Sequence, residues 1–224
     1  MNFAERRLEE QDQRRSRMLD AAQRLFSVQG IEGTSMDAVA AEAGFTKRTL
    51  YQYFASKEAL VAELTLRGQT LLNLLTEDFL ERASTGLARA KACGQAFFAF
   101  QKEHGPLLGI MQRARSMNRA SAPAEIVSRI VQADDRNFAY LQSAIEEGIR
   151  DGSVRADLSP FSTALLVKSL SVGLVETVKQ IKDFAPGGFP FERESFLSEA
   201  LEFLGAALSS GPRERGKGKP KERT

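Results

Sequence analysis

The stretch "GFTKRTLYQYFASKEAL", Gly44 to Leu60, winds two lysines, an arginine and two tyrosines around a few apolar anchors, and from Phe45 to Lys57 it contains no acid. On a wheel at about 100° per residue with Leu50 at zero, Phe54 falls at about 40°, on the inward side. Arg48 and Gln52 fall at about 160° and about 200°, opposite the core, with Tyr51 and Thr49 on the flanks. The outward face is therefore made of donors. Arginine reaches guanine O6 and N7, glutamine pairs with adenine, and threonine and tyrosine hydroxyls reach phosphates, so the face suits a helix in the DNA major groove. Lys57, just inside a helix that Ser56 can cap, would meet a backbone phosphate. The competing account is a solvated face with partly buried tyrosines. The spacing of the neighbouring helices favours DNA.

Those neighbours are read from periodicity and caps. Met18, Ala21, Ala22, Leu25, Phe26 and Gln29 recur at helical spacing over Ser16 to Gln29, and Gly30 supplies a stop. Thr34 and Asp37 match a capping-box pattern ahead of Met36, Val39, Ala40 and Ala43, and Gly44 follows. Thr46 can cap a helix from Lys47 to Phe54, so only a tight turn separates helices two and three. This is the layout of a helix-turn-helix.

The rest of the 224 residues also reads as helical, over about 57–82, 87–102, 105–115, 123–150, 160–182 and 192–209, with no strand alternation bounded by hairpin turns. Pro160 suits a first helical turn, and Gly152 and the stretch Ala185 to Pro190 punctuate the last helices. The expectation is an all-α fold: an N-terminal arm (1–15), a three-helix DNA-binding domain (16–60), a larger helical domain for effector binding and dimerisation (61–210), and a disordered basic tail (211–224). That tail holds six basic residues against two acids, whereas residues 1–60 hold nine of each. Without a run of about 18 apolar residues or a signal-peptide pattern, no membrane partner is expected and the cytoplasm is the default compartment. The single cysteine, Cys93, excludes an internal disulfide and reads as a buried, inert thiol. One histidine, His104, leaves no metal cluster and no histidine-based triad, and neither a Gly-rich phosphate loop nor a nucleophile elbow occurs. An enzyme is not expected, nor a cofactor.

From Arg17 to Leu60 the chain resembles the DNA-binding domain of the TetR family of bacterial transcriptional regulators. The resemblance rests on Ala21-Ala22, Leu25-Phe26, Gly30, Thr34-Ser35, Val39-Ala40, Ala43-Gly44, Thr46-Lys47, Thr49-Leu50-Tyr51, Phe54 and Ser56-Lys57-Glu58. Val39, Phe45, Thr46, Arg48 and Tyr53 stand where the family more often has isoleucine, valine, serine, glycine and histidine. The resemblance implies that Lys47, Thr49, Tyr51, Tyr53 and Lys57 take base and phosphate contacts. With Thr46 and the wheel-derived Arg48 and Gln52 these form the candidate DNA-binding set. Arg48 and Gln52 occupy variable positions, so the operator sequence is not implied.

Beyond Leu60 the chain resembles the family only in being helical, and its own residues must be used. Leu197, Ala200, Leu201, Leu204 and Leu208 form a stripe that Phe196, Phe203 and Ala207 widen to about 160°, more than one core-facing stripe needs. The preceding helix carries Leu165, Leu166, Leu170, Leu174, Val178 and Ile181, with Ser169 and Gly173 as small residues that permit close approach. Gly173, Leu174, Leu201 and Leu204 are the candidate homodimer contacts, in a two-fold four-helix arrangement that is also the family's expected mode; a purely monomeric core is the alternative. Phe97, Phe98, Met111, Phe138, Tyr140 and Leu141 are the candidate lining of an apolar effector cavity, although the same composition serves a plain helical core. The expected function is a ligand-responsive regulator, most simply a repressor released from an inverted-repeat operator by a small, mostly apolar effector. A transcriptional activator, or a helical module with nonspecific DNA binding, remains open.

Overall fold

A computed structural model describes residues 2–117, 122–184 and 192–211 of the chain. The expected loop Ala185 to Pro190 and the tail from 212 onward lie outside the described residues. The fold is all-helical: α1 (Phe3–Gly33), α2 (Met36–Ala43), α3 (Lys47–Tyr53), α4 (Lys57–Glu81), α5 (Gly86–Ala114), α6 (Ala124–Asp151), α7 (Pro160–Phe184) and α8 (Arg193–Leu208). An isolated bridge between Val154 and Ser209 is the β pairing among the described residues.

Four expectations need correction. Helix α1 begins at Phe3 rather than near Ser16, because Asn2 and Glu5 close a reciprocal capping box at its start. The box assigned to Thr34 and Asp37 does not form. Ser35 caps α2 by accepting from the Ala38 N–H at 3.1 Å, and buried Thr34 instead donates to the Gly30 carbonyl at 2.8 Å. Gly30 does break α1, with φ 75° and ψ 163°, a conformation open mainly to glycine, but helical turns resume after it. The helices expected at 87–102 and 105–115 are one helix, α5, with a joint at His104 (φ −123°, ψ 29°) just before Pro106. Proline brings no N–H to the ladder, so the joint sits where a hydrogen bond is lost anyway. By length and composition alone α7 over Pro160–Gln180 could cross a membrane, with 28% of that window buried, but Lys168 and Glu176 interrupt its apolar run. Its exposed side carries Phe161, Leu165, Leu166 and Leu170.

The chain divides into two compact units, Met1–Glu77 with Ala96–Asn137, and Asp78–Gln95 with Phe138–Thr224, so α4, α5 and α6 each contribute to both. A division at residue 60 is not visible as a packing boundary. In the first unit Met18, Ala21, Ala22 and Phe26 of α1, Val39, Ala40 and Ala43 of α2, and Leu50 and Phe54 at α3 are buried. Periodicity assigned these positions to the inside, together with Leu25 and Met36, which are half-buried, and Gln29, which is exposed. In the second unit Ala90, Leu141, Ala144, Ile145, Val154, Ala164 and Leu208 form one core cluster. There the start of α5 meets the end of α6 through two glycines: a Cβ on Gly86 would overlap the backbone of Gly148, and one on Gly148 would strike Val154. The first N–H groups of α5 are satisfied from afar, Gly86 N–H by Asp151 Oδ2 at 2.7 Å and Leu87 N–H by Ser153 Oγ at 3.0 Å. Hydrogen bonds from Ser153 and from the Gly86 amide hold the Asp151 carboxyl below its usual pKa.

Candidate nucleic-acid interface

The turn that aims α3 is built from backbone geometry. Gly44 adopts the left-handed conformation (φ 74°, ψ 32°), and the Phe45 and Gly44 N–H groups close α2 onto the Ala40 and Ala41 carbonyls at 2.9 and 3.0 Å. Thr46 then caps α3, accepting from the Thr49 N–H at 3.1 Å while the two hydroxyls meet at 2.8 Å. Arg17 fastens this turn to α1: its guanidinium donates to the Ala43 carbonyl at 3.3 Å and lies 5.1 Å from the centre of the Phe45 ring. Arg15 holds the far end of α3, paired with Glu63 and 4.7 Å from the Phe54 ring centre.

With Leu50 wholly buried, the remaining α3 side chains are disposed as the wheel predicts. Arg48, Tyr51 and Gln52 are exposed, and Thr49 and Tyr53 are half-buried. Lys47 is exposed and paired with Asp37 at 2.8 Å, which raises its pKa and means that a phosphate must compete with that carboxylate. Lys57 is less free than its sequence position suggests. Its ammonium donates to the Glu32 carbonyl at 3.2 Å and the Thr34 carbonyl at 3.0 Å, tying the end of α1 to the start of α4. An ammonium has three protons, so one donor remains for an anion. The Glu32 side chain accepts in turn from Arg113 Nε at 3.0 Å, and its own backbone hydrogen bond together with Arg113 keeps its pKa low.

The six expected effector residues do not share one unit. Phe97, Phe98 and Met111 belong to the first, where Phe98 and Met111 are buried and Met111 packs over Gly68 of α4. Phe138, Tyr140 and Leu141 belong to the second. Leu141 is part of that unit's core cluster, and Phe138 packs against the cluster with its ring 5.3 Å from that of Phe161. A row missed in the sequence lies in the first unit on α4: Thr65, Gln69, Asn73 and Thr76 are all buried. Gln69 donates to Asp134 and Asn73 Nδ2 to the Ala133 carbonyl, each at 2.9 Å, while Asn73 Oδ1 is buried without a partner. Spacing of four, four and three was the available signal, but polar residues at helical period ordinarily mark the wet face.

Of the expected dimer contacts, Leu201 faces its own chain, seated over Gly94 of α5, and Leu174 and Leu204 are half-buried. Gly173 is exposed, with nothing within 4 Å of where a Cβ would stand. The open apolar surface is instead Phe161, Leu165, Leu166 and Leu170 of α7 and Phe203 of α8, the last 75% exposed. Cys93 is largely buried, which pushes its thiol up to about 12. Among the described residues no three His, Cys, Asp or Glu side chains come together in a way that could hold a metal ion.

Comparison with known proteins places this geometry. The family model for bacterial regulatory proteins of the tetR family matches residues 18–64, from the first buried turn of α1 into α4. The HTH-type transcriptional regulator YhgD of Bacillus subtilis (strain 168) is 30% identical over 166 residues, covering 72% of this chain and 82% of that protein. Among solved structures, the transcriptional regulator FadR from Bacillus subtilis in complex with stearoyl-CoA superposes with a TM-score of 0.69 at 16% identity, covering 86% of this chain and 98% of that one. AibR in complex with isovaleryl coenzyme A and operator DNA gives 0.67 at 21% identity, covering 85% and 97%.

Proposed function

The chain belongs to the TetR family of bacterial regulatory proteins, and from that membership we propose that it is a homodimeric repressor released from an inverted-repeat operator by a small, mostly apolar effector. The observation that carries the proposal is the outward face of α3, where Arg48, Tyr51 and Gln52 stand exposed over a buried Leu50. Arg48 and Gln52 read bases; Thr46, Lys47, Thr49, Tyr51, Tyr53 and the third proton of Lys57 serve the backbone. A DNA partner places the protein in the cytoplasm.

Dimerisation is supported by the open apolar face of α7 and α8, which explains why α7 is apolar on two sides without a lipid partner. The effector is assigned to the first unit, with Phe97, Phe98 and Met111 supplying apolar surface and Asn73 Oδ1 one hydrogen-bond acceptor. FadR and AibR were solved with acyl-CoA thioesters, so that class heads the list of candidates. Such ligands combine an apolar chain with amide donors. Effector and operator must weaken each other by the same factor, because binding linkage is reciprocal.

Selection of bound duplexes from a random pool tests the operator. The expected product is an inverted repeat with half-sites one helical turn, about 34 to 36 Å, or a multiple apart; a single unrepeated site would count against a two-fold reader. An acyl-CoA series from short to long chains tests the effector. The active member should raise stability by about 2.7 kcal/mol at a hundredfold excess over its Kd and weaken operator binding. Phe98→Arg should remove that response and leave operator binding intact. A purely polar metabolite that both stabilises the protein and releases DNA would defeat the apolar assignment.

A further inference from the structure

Helix α1 contains a segment that the helix-turn-helix does not account for. Residues 5–14 are all exposed, and Leu8 among them is 62% exposed, so about three turns of capped helix continue past the last packing contact at Arg15. From Arg15 back to Phe3 the helix runs about 18 Å at 1.5 Å per residue.

The direction of its side chains is set by the packed half. With Arg17 at zero on the wheel, Ala21, Leu25, Met18, Ala22, Phe26 and Leu19 fall at about 40°, 80°, 100°, 140°, 180° and 200°, the side turned to the core. Counting back from Arg17, Arg14, Arg7 and Gln11 fall at about 60°, 80° and 120°, on that same side. Glu10 and Asp12 border the stripe at about 20° and about 220°, whereas Glu5 and Glu9 fall on the reverse, at about 240° and about 280°. The core-facing stripe therefore continues beyond the core with its chemistry changed from apolar to arginine and glutamine. Arg7 and Arg14 have no ion pair among the described residues. Only Glu10 stands at the three- or four-residue spacing from Arg7 and Arg14 at which a solvated helix pairs its charges, and among the described residues it forms an ion pair with neither.

Arg17 shows where that side leads. It clamps the turn immediately ahead of α3, so α1 passes beside the head of the recognition helix before running on. We infer that the N-terminal extension of α1 is a second DNA-contacting element, in which Arg7 and Arg14, with Gln11, lie against the phosphate backbone beside the segment that α3 reads. The inference rests on DNA binding by α3 and adds a surface outside the helix-turn-helix. Its selectivity is for backbone charge, not for bases.

The test uses the full chain and a random-sequence DNA duplex, with affinity measured against salt. In the variant Arg7→Gln with Arg14→Gln, the slope of log affinity against log salt should become shallower by about 1.8, since each phosphate contact contributes about 0.9. The opposite-face variant Glu9→Gln with Asp12→Asn should leave the slope as it is. All four positions are exposed, so unchanged far-ultraviolet circular dichroism is expected for both. On a selected operator, hydroxyl-radical footprints of the arginine variant should lose backbone protection at one edge of each half-site and keep it under α3. An unchanged slope in the arginine variant would overturn the inference while leaving α3 in place, and so would slope changes of similar size in both variants, which net charge alone would produce. Wild-type chain without salt-dependent duplex binding would overturn the reading of α3 as well.

Discussion

The outward faces of α3 and of the α7–α8 pair are both open to solvent, and their chemistries are opposite. On α3 the exposed side chains are Arg48, Tyr51 and Gln52; on α7 and α8 they are Leu165, Leu166, Leu170 and Phe203. The two faces stand differently toward water. Apolar area left exposed forgoes about 25 cal/mol per Å², whereas a row of donors loses nothing to water and gains only when a polyanion displaces counterions. One face therefore calls for a second apolar surface and the other for DNA. Burial alone would have grouped them; hydrogen-bonding capacity separates them.

The sharpest way to break the contrast is to give the apolar face charges. Leu166→Asp with Leu170→Asp removes about 1 kcal/mol or more of remaining burial at each position, counted twice across a two-fold axis, so about 4 kcal/mol or a thousandfold in the dimer dissociation constant before the cost of buried carboxylates is added. Sedimentation should show folded monomers; an unaltered dimer would move the interface elsewhere. Gly173→Leu comes next. A Cβ there meets nothing within 4 Å in the protomer, so the fold should tolerate it, while a tightly packed copy would be opposed by about 1 to 3 kcal/mol at each of two contacts. A wild-type dimerisation constant would mean that the helices do not cross at Gly173. On the other face, Arg48→Ala should lose about 1 to 3 kcal/mol on the selected operator and relax one base pair. Equal losses on cognate and random DNA would remove Arg48 from the readers. Smallest is Lys57→Ala, expected to flatten the salt slope by about one on every sequence. It should also lower the melting temperature, since the same ammonium ties Glu32 and Thr34 to α4. A lower melting temperature with an unchanged slope would confine Lys57 to that structural tie.

Legibility followed how local the cause was. The α2–turn–α3 unit could be read because Gly44, Thr46 and Leu50 act within a few residues of themselves, and the wheel placed Arg48 and Gln52 on the face where the structure has them. The start of α1 was missed because its charged residues have no apolar period, although Asn2 and Glu5 formed a legible capping box. At Thr34–Asp37 the same rule misled by one residue, since Ser35 competes for the cap and Thr34 turns back to Gly30. Distant partners could not be read at all. Nothing near Leu201 announces Gly94, nothing near Asn73 announces the Ala133 carbonyl, and two units that share three helices leave no mark at a single sequence position.

That distance has a consequence for how the chain acquires its shape. The first two amides of α5 are capped by Asp151 and Ser153, 65 and 66 positions downstream, and the turn lies against Gly148, where no side chain fits. Thr85 caps the Ala88 N–H locally at 3.2 Å, but until α6 has formed and returned the amides of Gly86 and Leu87 can bond only to water, and closing so long a loop carries an entropy cost. Helix α5 should therefore gain its middle before its beginning. Its first turn would be the last to acquire protection in a refolding hydrogen-exchange experiment and, during synthesis, would wait for residues made long after it.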